Sequence, residues 1–138
     1  MYSICRWHEI DVGHRVVGQG SKCENIHGHR YRIEFYARSS SLNEIGMVID
    51  FSVIKDLMCK WLDDNWDHKY LAFVEDPFFP ILAELPGVYP VDFNPTAENI
   101  AAFLLYNVAP TLMEDTCVDI WKVVVHETLK CSAEVNDE

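Results

Sequence analysis

Positive charge is scarce in this sequence, and the shortage excludes two classes of partner. The 138 residues include 11 lysines and arginines against 22 aspartates and glutamates, which gives a formal net charge of −11. Nucleic acids and anionic membrane surfaces both require a basic face on the protein that binds them. We therefore expect neither as a partner, and an anionic small substrate would need a local pocket of basic residues.

Long hydrophobic runs and paired cysteines are also missing. No apolar stretch approaches the length that spans a bilayer, so we expect a soluble chain without membrane association. The five cysteines lack the spacing of a disulfide framework, and the N-terminus lacks a basic region followed by an apolar run. These features indicate a reduced, cytoplasmic protein. The length and the 49% hydrophobic content predict a single domain over residues 1–138.

Four segments have the alternation or the β-branched and aromatic content of strands, two at each end of the chain. They are residues 2–17, 30–38, 121–126 and 131–135. Helical spacing of apolar residues occurs only in the middle of the chain, between the first two and the last two of these segments. The order strand, strand, helix, helix, strand, strand predicts an α+β fold.

Two helices are expected in the middle of the chain. Asp50 or Ser52 can cap the first, which should end near residue 64, and Thr96 can cap the second, which Pro110 should end or kink. Residues 67–95 between them are punctuated by proline and glycine, which predicts a long loop with one short strand over residues 88–93. A loop of that length in a compact domain is often functional.

Two histidines at the start of the second strand are the feature around which the chain is organised. His27 and His29 are two residues apart, so on a strand both side chains point to the same, apolar face. Buried imidazoles need a partner, and a metal ion supplies one. His14 lies in an upstream segment that could pair with this strand, and three imidazoles leave one tetrahedral position of Zn²⁺ open for catalysis. The alternative is three ordinary histidines, each hydrogen-bonded within the protein.

Cys23 precedes this histidine pair and has three possible roles. As a fourth metal ligand it would close a structural site, whereas as a free thiol beside the metal it could act as a base or nucleophile. The third role is that of a small buried hydrophobic residue, which is also the expected role of the other four cysteines.

Four further residues are candidates for a chemical or a structural role. Asp67 and His68 could form a carboxylate–imidazole pair for proton transfer, or simply a solvated helix end. Glu127 falls on an apolar strand face, where its carboxylate needs either a cation or a ligand with adjacent N–H donors. Thr96 is expected to be a helix cap.

Taken together, these residues resemble the family of 6-pyruvoyl-tetrahydropterin synthases and 6-carboxy-5,6,7,8-tetrahydropterin synthases. The resemblance runs along nearly the whole chain in short segments whose order is specific. They are Gly13–Arg15, Cys23–His29 with Tyr31, Gly46–Phe51, Asp67–His68 with Leu71, Asn94–Asn99, and Glu127–Thr128 with Ala133. The three-residue gap between Cys23 and His27 is similar to that of the bacterial 6-carboxytetrahydropterin branch.

The resemblance implies a particular architecture, the tunnelling fold. Each α+β subunit would contain a four-stranded antiparallel sheet with two helices on one face. Three subunits would close a barrel, and two such trimers would stack into a homohexamer. The proline-rich loop over residues 73–93 is longer than this family leads us to expect.

The resemblance also implies a role for each candidate residue. Cys23 would be the general base, Asp67 and His68 would complete the proton relay, and Glu127 would anchor the pterin, with Thr96 as a further contact. The implied Zn²⁺ ligands are His14, His27 and His29.

The implied activity is that of a zinc-dependent carbon–carbon lyase of queuosine biosynthesis. It would convert 7,8-dihydroneopterin triphosphate into 6-carboxy-5,6,7,8-tetrahydropterin with release of acetaldehyde and triphosphate. One alternative is a 6-pyruvoyl-tetrahydropterin synthase, which eliminates triphosphate but keeps the carbon chain. The other is a non-catalytic protein with a structural zinc site.

The triphosphate of such a substrate needs cations. The basic residues nearest the family segments are Arg6, Arg15, Lys22 and Lys69. If Arg15 binds the triphosphate, replacing it with alanine should raise KM with little loss of kcat.

Overall fold

A single six-stranded sheet forms the framework of the protein. The computed structural model describes all 138 residues, Met1–Glu138. The strands, numbered β1 to β6 in chain order, are Tyr2–His14, His27–Ser39, Lys69–Phe73, Val88–Val91, Asp119–His126 and Ser132–Asn136. They lie in the order β4-β3-β1-β2-β5-β6. The fold is α+β, as the element order predicts.

The expectation of a four-stranded antiparallel sheet is wrong. The four predicted strands do form an antiparallel unit, with β1 beside β2, β2 beside β5 and β5 beside β6. The structure adds β3 and β4, which run parallel to β1 along its other edge. Both lie in the segment expected to be mostly loop. Pro90 is tolerated inside β4 because β4 is an edge strand, where one side needs no hydrogen-bond donor.

The two predicted helices are both present. Helix α1 consists of Phe51–Ile54, a π-helical turn over Lys55–Cys59, and Lys60–Asn65. The Asp50 carboxylate accepts a hydrogen bond from the Ser52 N–H over 2.8 Å, so Asp50 is its N-cap. A short helix, α2, covers Phe79–Leu82 within the proline-rich segment.

Helix α3 continues past the proline that was expected to end or kink it. It consists of Ala97–Phe103, a π-helical turn over Leu104–Val108, and Ala109–Leu112. The ring of Pro110 would clash with the carbonyl four residues earlier in a regular α-helix. That carbonyl belongs to the π-helical turn, whose wider backbone relieves the clash.

The core lies between one face of the sheet and helices α1 and α3. Its sheet side includes Ile33, Phe35 and Val123, which are fully buried, and its helix side includes Met58 and Leu104. The alternation predicted for β2 is confirmed, since every second residue from Tyr31 to Ala37 is buried. No helix combines the length and the hydrophobicity needed to cross a bilayer.

Candidate metal centre and active site

The pairing of β1 with β2 brings three histidines together. The last residue of β1, His14, is directly opposite the first residue of β2, His27, and His29 is opposite Val12. The imidazole centroids are 4.6 Å apart for His14 and His27, and 4.8 Å apart for His27 and His29. His14 is completely buried, so the group forms at the end of the core rather than on a solvated face.

Two glycines allow the strands to approach this closely. Gly13 and Gly28 are directly opposite each other, between the His14–His27 pair and the Val12–His29 pair. A Cβ atom on Gly28 would lie 3.1 Å from the Val12 carbonyl oxygen, which is closer than ordinary van der Waals contact. The glycine between His27 and His29 therefore accommodates the neighbouring backbone.

The hydrogen bonds of the histidines leave their other nitrogens available. His14 Nδ1–H donates to the Pro95 carbonyl over 2.6 Å, and His27 Nδ1–H donates to the Asn25 carbonyl over 2.7 Å. A backbone carbonyl commonly fixes a ligating imidazole in this way. His27 Nε2 is buried without a hydrogen-bond partner, which is costly unless a ligand binds there. The group could therefore bind a metal ion.

Glu127 joins the histidines as a fourth possible ligand. Its Oε1 lies 2.9 Å from His29 Nε2 and 3.4 Å from His14 Nε2. The candidate ligand atoms of the three histidines and Glu127 all lie within 4.8 Å of one another. The contact with His14 lowers the pKa of Glu127, while burial lowers the pKa of His29 against the opposing effect of the carboxylate. The sequence left open whether a cation or a bound ligand would pair with the Glu127 carboxylate. In the structure, His14 and His29 lie beside it.

Cys23 is not one of the four members of this group. It occupies the middle of a 3₁₀ turn over Lys22–Glu24 and is partly buried. The Cys23 carbonyl accepts a hydrogen bond from the Val16 N–H over 2.7 Å, which ties the turn back to the end of β1. The hydroxyl of Tyr31 lies 3.1 Å from His14 Nε2.

Asp67 and His68 form a second group where α1 ends. The Asp67 carboxylate accepts a hydrogen bond from the Asp11 N–H over 3.0 Å and lies 3.1 Å from His68 Nδ1. Burial acts to raise the pKa of Asp67, but the Asp11 N–H and His68 outweigh it, and the pKa is lowered. The φ of His68 is +62°, which is uncommon outside glycine, and its side chain is 76% exposed. Asp67 therefore orients an imidazole that solvent and ligands can reach.

An open groove of about 530 Å³ lies beside the second group. His29 from the histidine cluster and His68 from the second group both line it, together with Lys69 and Tyr70. Its volume is in the range of small-molecule sites. Lys69 is thus the predicted cation that the structure places in this groove.

The other basic residues suggested for a triphosphate lie in different surroundings. Arg15 is paired with Asp76 and is 11% exposed at its side chain. Arg6 is eight residues before His14 on β1, roughly 26 Å away because a strand rises about 3.3 Å per residue. Lys22 is exposed in the turn that carries Cys23.

The segment before α3 contains residues that sequence reasoning missed. The Asn94 side chain exchanges two hydrogen bonds with the Val17 backbone, of 3.0 and 2.9 Å, and the Pro95 carbonyl fixes His14. A backbone carbonyl has no signal of its own in a sequence. Only the recurrence of Asn94 and Pro95 in a family segment could have indicated their importance.

Thr96 caps α3, so the effect of removing this cap can be predicted. Its hydroxyl oxygen accepts a hydrogen bond from the Asn99 N–H over 3.1 Å. Thr96→Ala should lower the free energy of unfolding by about 1 kcal/mol, measured by urea denaturation, and leave KM unchanged. Asp50→Ala, which removes the cap of α1, is the matched control. A rise in KM confined to Thr96→Ala would instead support a substrate contact.

Comparisons with known proteins were made for the sequence and the fold. The model of the 6-pyruvoyl tetrahydropterin synthase family matches residues 3–138. A 6-carboxy-5,6,7,8-tetrahydropterin synthase of Rickettsia bellii is 38% identical, over 98% of this chain and 100% of its own. The protein of that name in Aquifex aeolicus is 34% identical over 99% of both chains.

Solved structures share the fold. An uncharacterized protein from Wolinella succinogenes aligns with a TM-score of 0.88 at 24% identity, over 99% of this chain and 98% of its own. The 6-pyruvoyl tetrahydropterin synthase of Caenorhabditis elegans aligns with a TM-score of 0.73 at 22% identity, over 99% and 96% of the two chains. With the family model matched along nearly the whole sequence, the chain belongs to the 6-pyruvoyl tetrahydropterin synthase family.

Proposed function

We propose that this protein is a zinc-dependent 6-carboxy-5,6,7,8-tetrahydropterin synthase, a carbon–carbon lyase that acts on 7,8-dihydroneopterin triphosphate. The observation that carries the proposal is the histidine cluster with its buried, unpartnered His27 Nε2. Relatives that are 34–38% identical over nearly their full length carry this enzyme name. The three-residue gap between Cys23 and His27 supports the same branch of the family.

The donor set fits Zn²⁺. Three neutral imidazoles are a common catalytic zinc set and leave one coordination position for a further ligand. His14, His27 and His29 would hold the ion, and Glu127 is close enough to approach it. When bound, Zn²⁺ would supply Lewis-acid stabilisation of negative charge that develops on the substrate.

The chain's own residues would then move the protons. The Cys23 thiolate would take a proton from the side chain of the substrate as the general base. Asp67 holds His68 at the groove, so its imidazole would give or receive the second proton. Lys69, which lines the same groove, would face the triphosphate.

Glu127 would anchor the pterin ring. The 2-aminopyrimidinone edge offers two adjacent N–H donors, which a carboxylate accepts in bidentate fashion. A cleft of about 210 Å³ adjoins Glu127 and is lined by Ala97 and Glu98 at the start of α3 and by Cys131 and Ala133 near β6. We propose that the ring enters this cleft.

A Glu127→Gln variant separates anchoring from metal binding. Hydrogen bonds to a charged group contribute about 1.5–3 kcal/mol, so kcat/KM should fall by roughly one to two orders of magnitude while zinc content stays that of wild type. Steady-state kinetics and metal analysis measure the two quantities. A variant that loses its zinc would show that Glu127 is a metal ligand instead.

Product analysis tests the function itself. Zinc-loaded protein is incubated with 7,8-dihydroneopterin triphosphate, and the pterin product is identified by mass spectrometry. We expect 6-carboxytetrahydropterin. A 6-pyruvoyl product would establish the alternative activity, in which the carbon chain is kept, and the absence of any product from folded, zinc-loaded protein would favour the structural zinc hypothesis.

Several wider features are part of the same proposal. We place the enzyme in queuosine biosynthesis and in the cytoplasm, and we expect a trimer or a dimer of trimers. Size measurement by light scattering tests the assembly. A monomer would contradict the expected assembly.

A further inference from the structure

Arg15 and Asp76 form a buried ion pair next to the candidate active site. Arg15 Nε–H donates to Asp76 Oδ2 over 2.6 Å, and Arg15 Nη2–H donates to Asp76 Oδ1 over 2.9 Å. Asp76 is only 3% exposed, and it also accepts a hydrogen bond from the Phe78 N–H over 2.8 Å. Arg15 lowers the pKa of Asp76, so the carboxylate is ionised in the folded protein.

The same guanidinium reaches the turn that carries Cys23. Arg15 Nη1–H donates to the carbonyl of Glu24, the residue that follows Cys23, over 2.8 Å. The Glu24 carboxylate in turn accepts hydrogen bonds from the Gly18 and Gly20 N–H groups over 3.2 and 2.8 Å. Arg15 therefore supplies the side-chain contact that holds the turn, beside the backbone hydrogen bond from the Val16 N–H to the Cys23 carbonyl, and Glu24 closes the turn internally.

The proline-rich segment completes the arrangement from the other side. Asp76 and Phe78 lie between β3 and α2, and the Arg15 guanidinium carbon is 5.0 Å from the centre of the Phe78 ring. Arg15 thus links three segments: the end of β1, the Cys23 turn and the long loop. Three of its five N–H donors are engaged, and little of its charge remains available to a phosphate.

We propose that Arg15 and Asp76 are positioning residues, which hold the Cys23 turn against the metal centre through the Glu24 carbonyl. This inference rests on the proposed function for the role of Cys23, but the contact itself does not. The long loop is then a structural part of the active site because it supplies the buried carboxylate. The suggestion that Arg15 binds the triphosphate is replaced by this role.

The test compares Asp76→Asn with wild type by hydrogen exchange and by kinetics. Release of the turn should speed exchange of the amides of residues 16–25 and lower kcat by about 10²-fold, the scale of a misplaced catalytic group. KM should change little, since the substrate does not contact the pair. Asp64→Asn removes an exposed carboxylate that pairs with Lys60 on α1, and should alter neither quantity.

Arg15→Lys provides a second variant if Asp76→Asn does not fold. The lysine ammonium keeps a positive charge next to Asp76, but it lacks the planar guanidinium that also reaches the Glu24 carbonyl. We again expect faster exchange over residues 16–25 with lower kcat. Unchanged exchange in the variants would overturn the proposal, as would a raised KM with kcat intact, which indicates phosphate binding. If wild type has no turnover, the proposed function fails, and the exchange result alone decides whether the pair holds the turn.

Discussion

Replacing Cys23 with alanine should lower kcat by roughly 10²–10⁴-fold, the contribution of a general base, while the protein keeps its fold and its zinc. The thiol lies outside the group of four candidate ligands, so its removal takes no ligand from the metal. The side chain is small and only partly buried, so its loss should cost little stability. Steady-state kinetics, metal analysis and a thermal melt measure the three effects.

Cys117→Ala is the matched control for this variant. Cys117 is exposed and lines a cavity near the end of α3, well separated in the chain from the histidine cluster. It should retain the activity, zinc content and melting temperature of wild type. If Cys23→Ala instead loses zinc and unfolds, the thiol is a ligand of a closed structural site, because ligand loss forfeits binding free energy that stabilises such folds.

Replacing His27 with alanine should release the metal. The variant loses one of three imidazoles, and the effect on zinc affinity should exceed the roughly 10–100-fold cost of losing an outer-shell partner. Turnover should fall to background. His27 is preferable to His14 for this test because His14 is fully buried and its loss would leave a cavity and an unpaired Pro95 carbonyl.

Competition with a chromophoric chelator measures the zinc affinity of the variant. His8→Ala is the control, since His8 lies in the middle of β1, outside the histidine cluster, and pairs with Asp63 at the surface, 2.7 Å away. Zinc should also raise the melting temperature of wild type and of the control, as any ligand specific for the native state does. Wild-type zinc affinity in His27→Ala would show that the cluster is not the metal site.

Much of the candidate metal site could be predicted because it follows from strand geometry. Parity alone places His27 and His29 on one face of β2, and that face is the buried one. The position of His14 depended on a register that local patterns do not determine. In the structure it faces His27 directly.

The remaining features depend on contacts between distant segments. Strand β3 is short and contributes no long alternating run, so it resembled a loop, whereas β4 coincides with the short strand expected over residues 88–93. Arg15 appears in the sequence as a free cation because its partner, Asp76, is 61 residues away. The approach of Glu127 to the histidines is likewise a consequence of how β5 packs beside β2.

The most direct test of the central claim is the stoichiometry of acetaldehyde and triphosphate released from 7,8-dihydroneopterin triphosphate by the zinc-loaded wild type. Carbon–carbon cleavage coupled to elimination predicts one acetaldehyde for each triphosphate throughout the time course, with neither released by Cys23→Ala. Triphosphate released without acetaldehyde would contradict the assignment and identify a synthase that leaves the carbon chain intact.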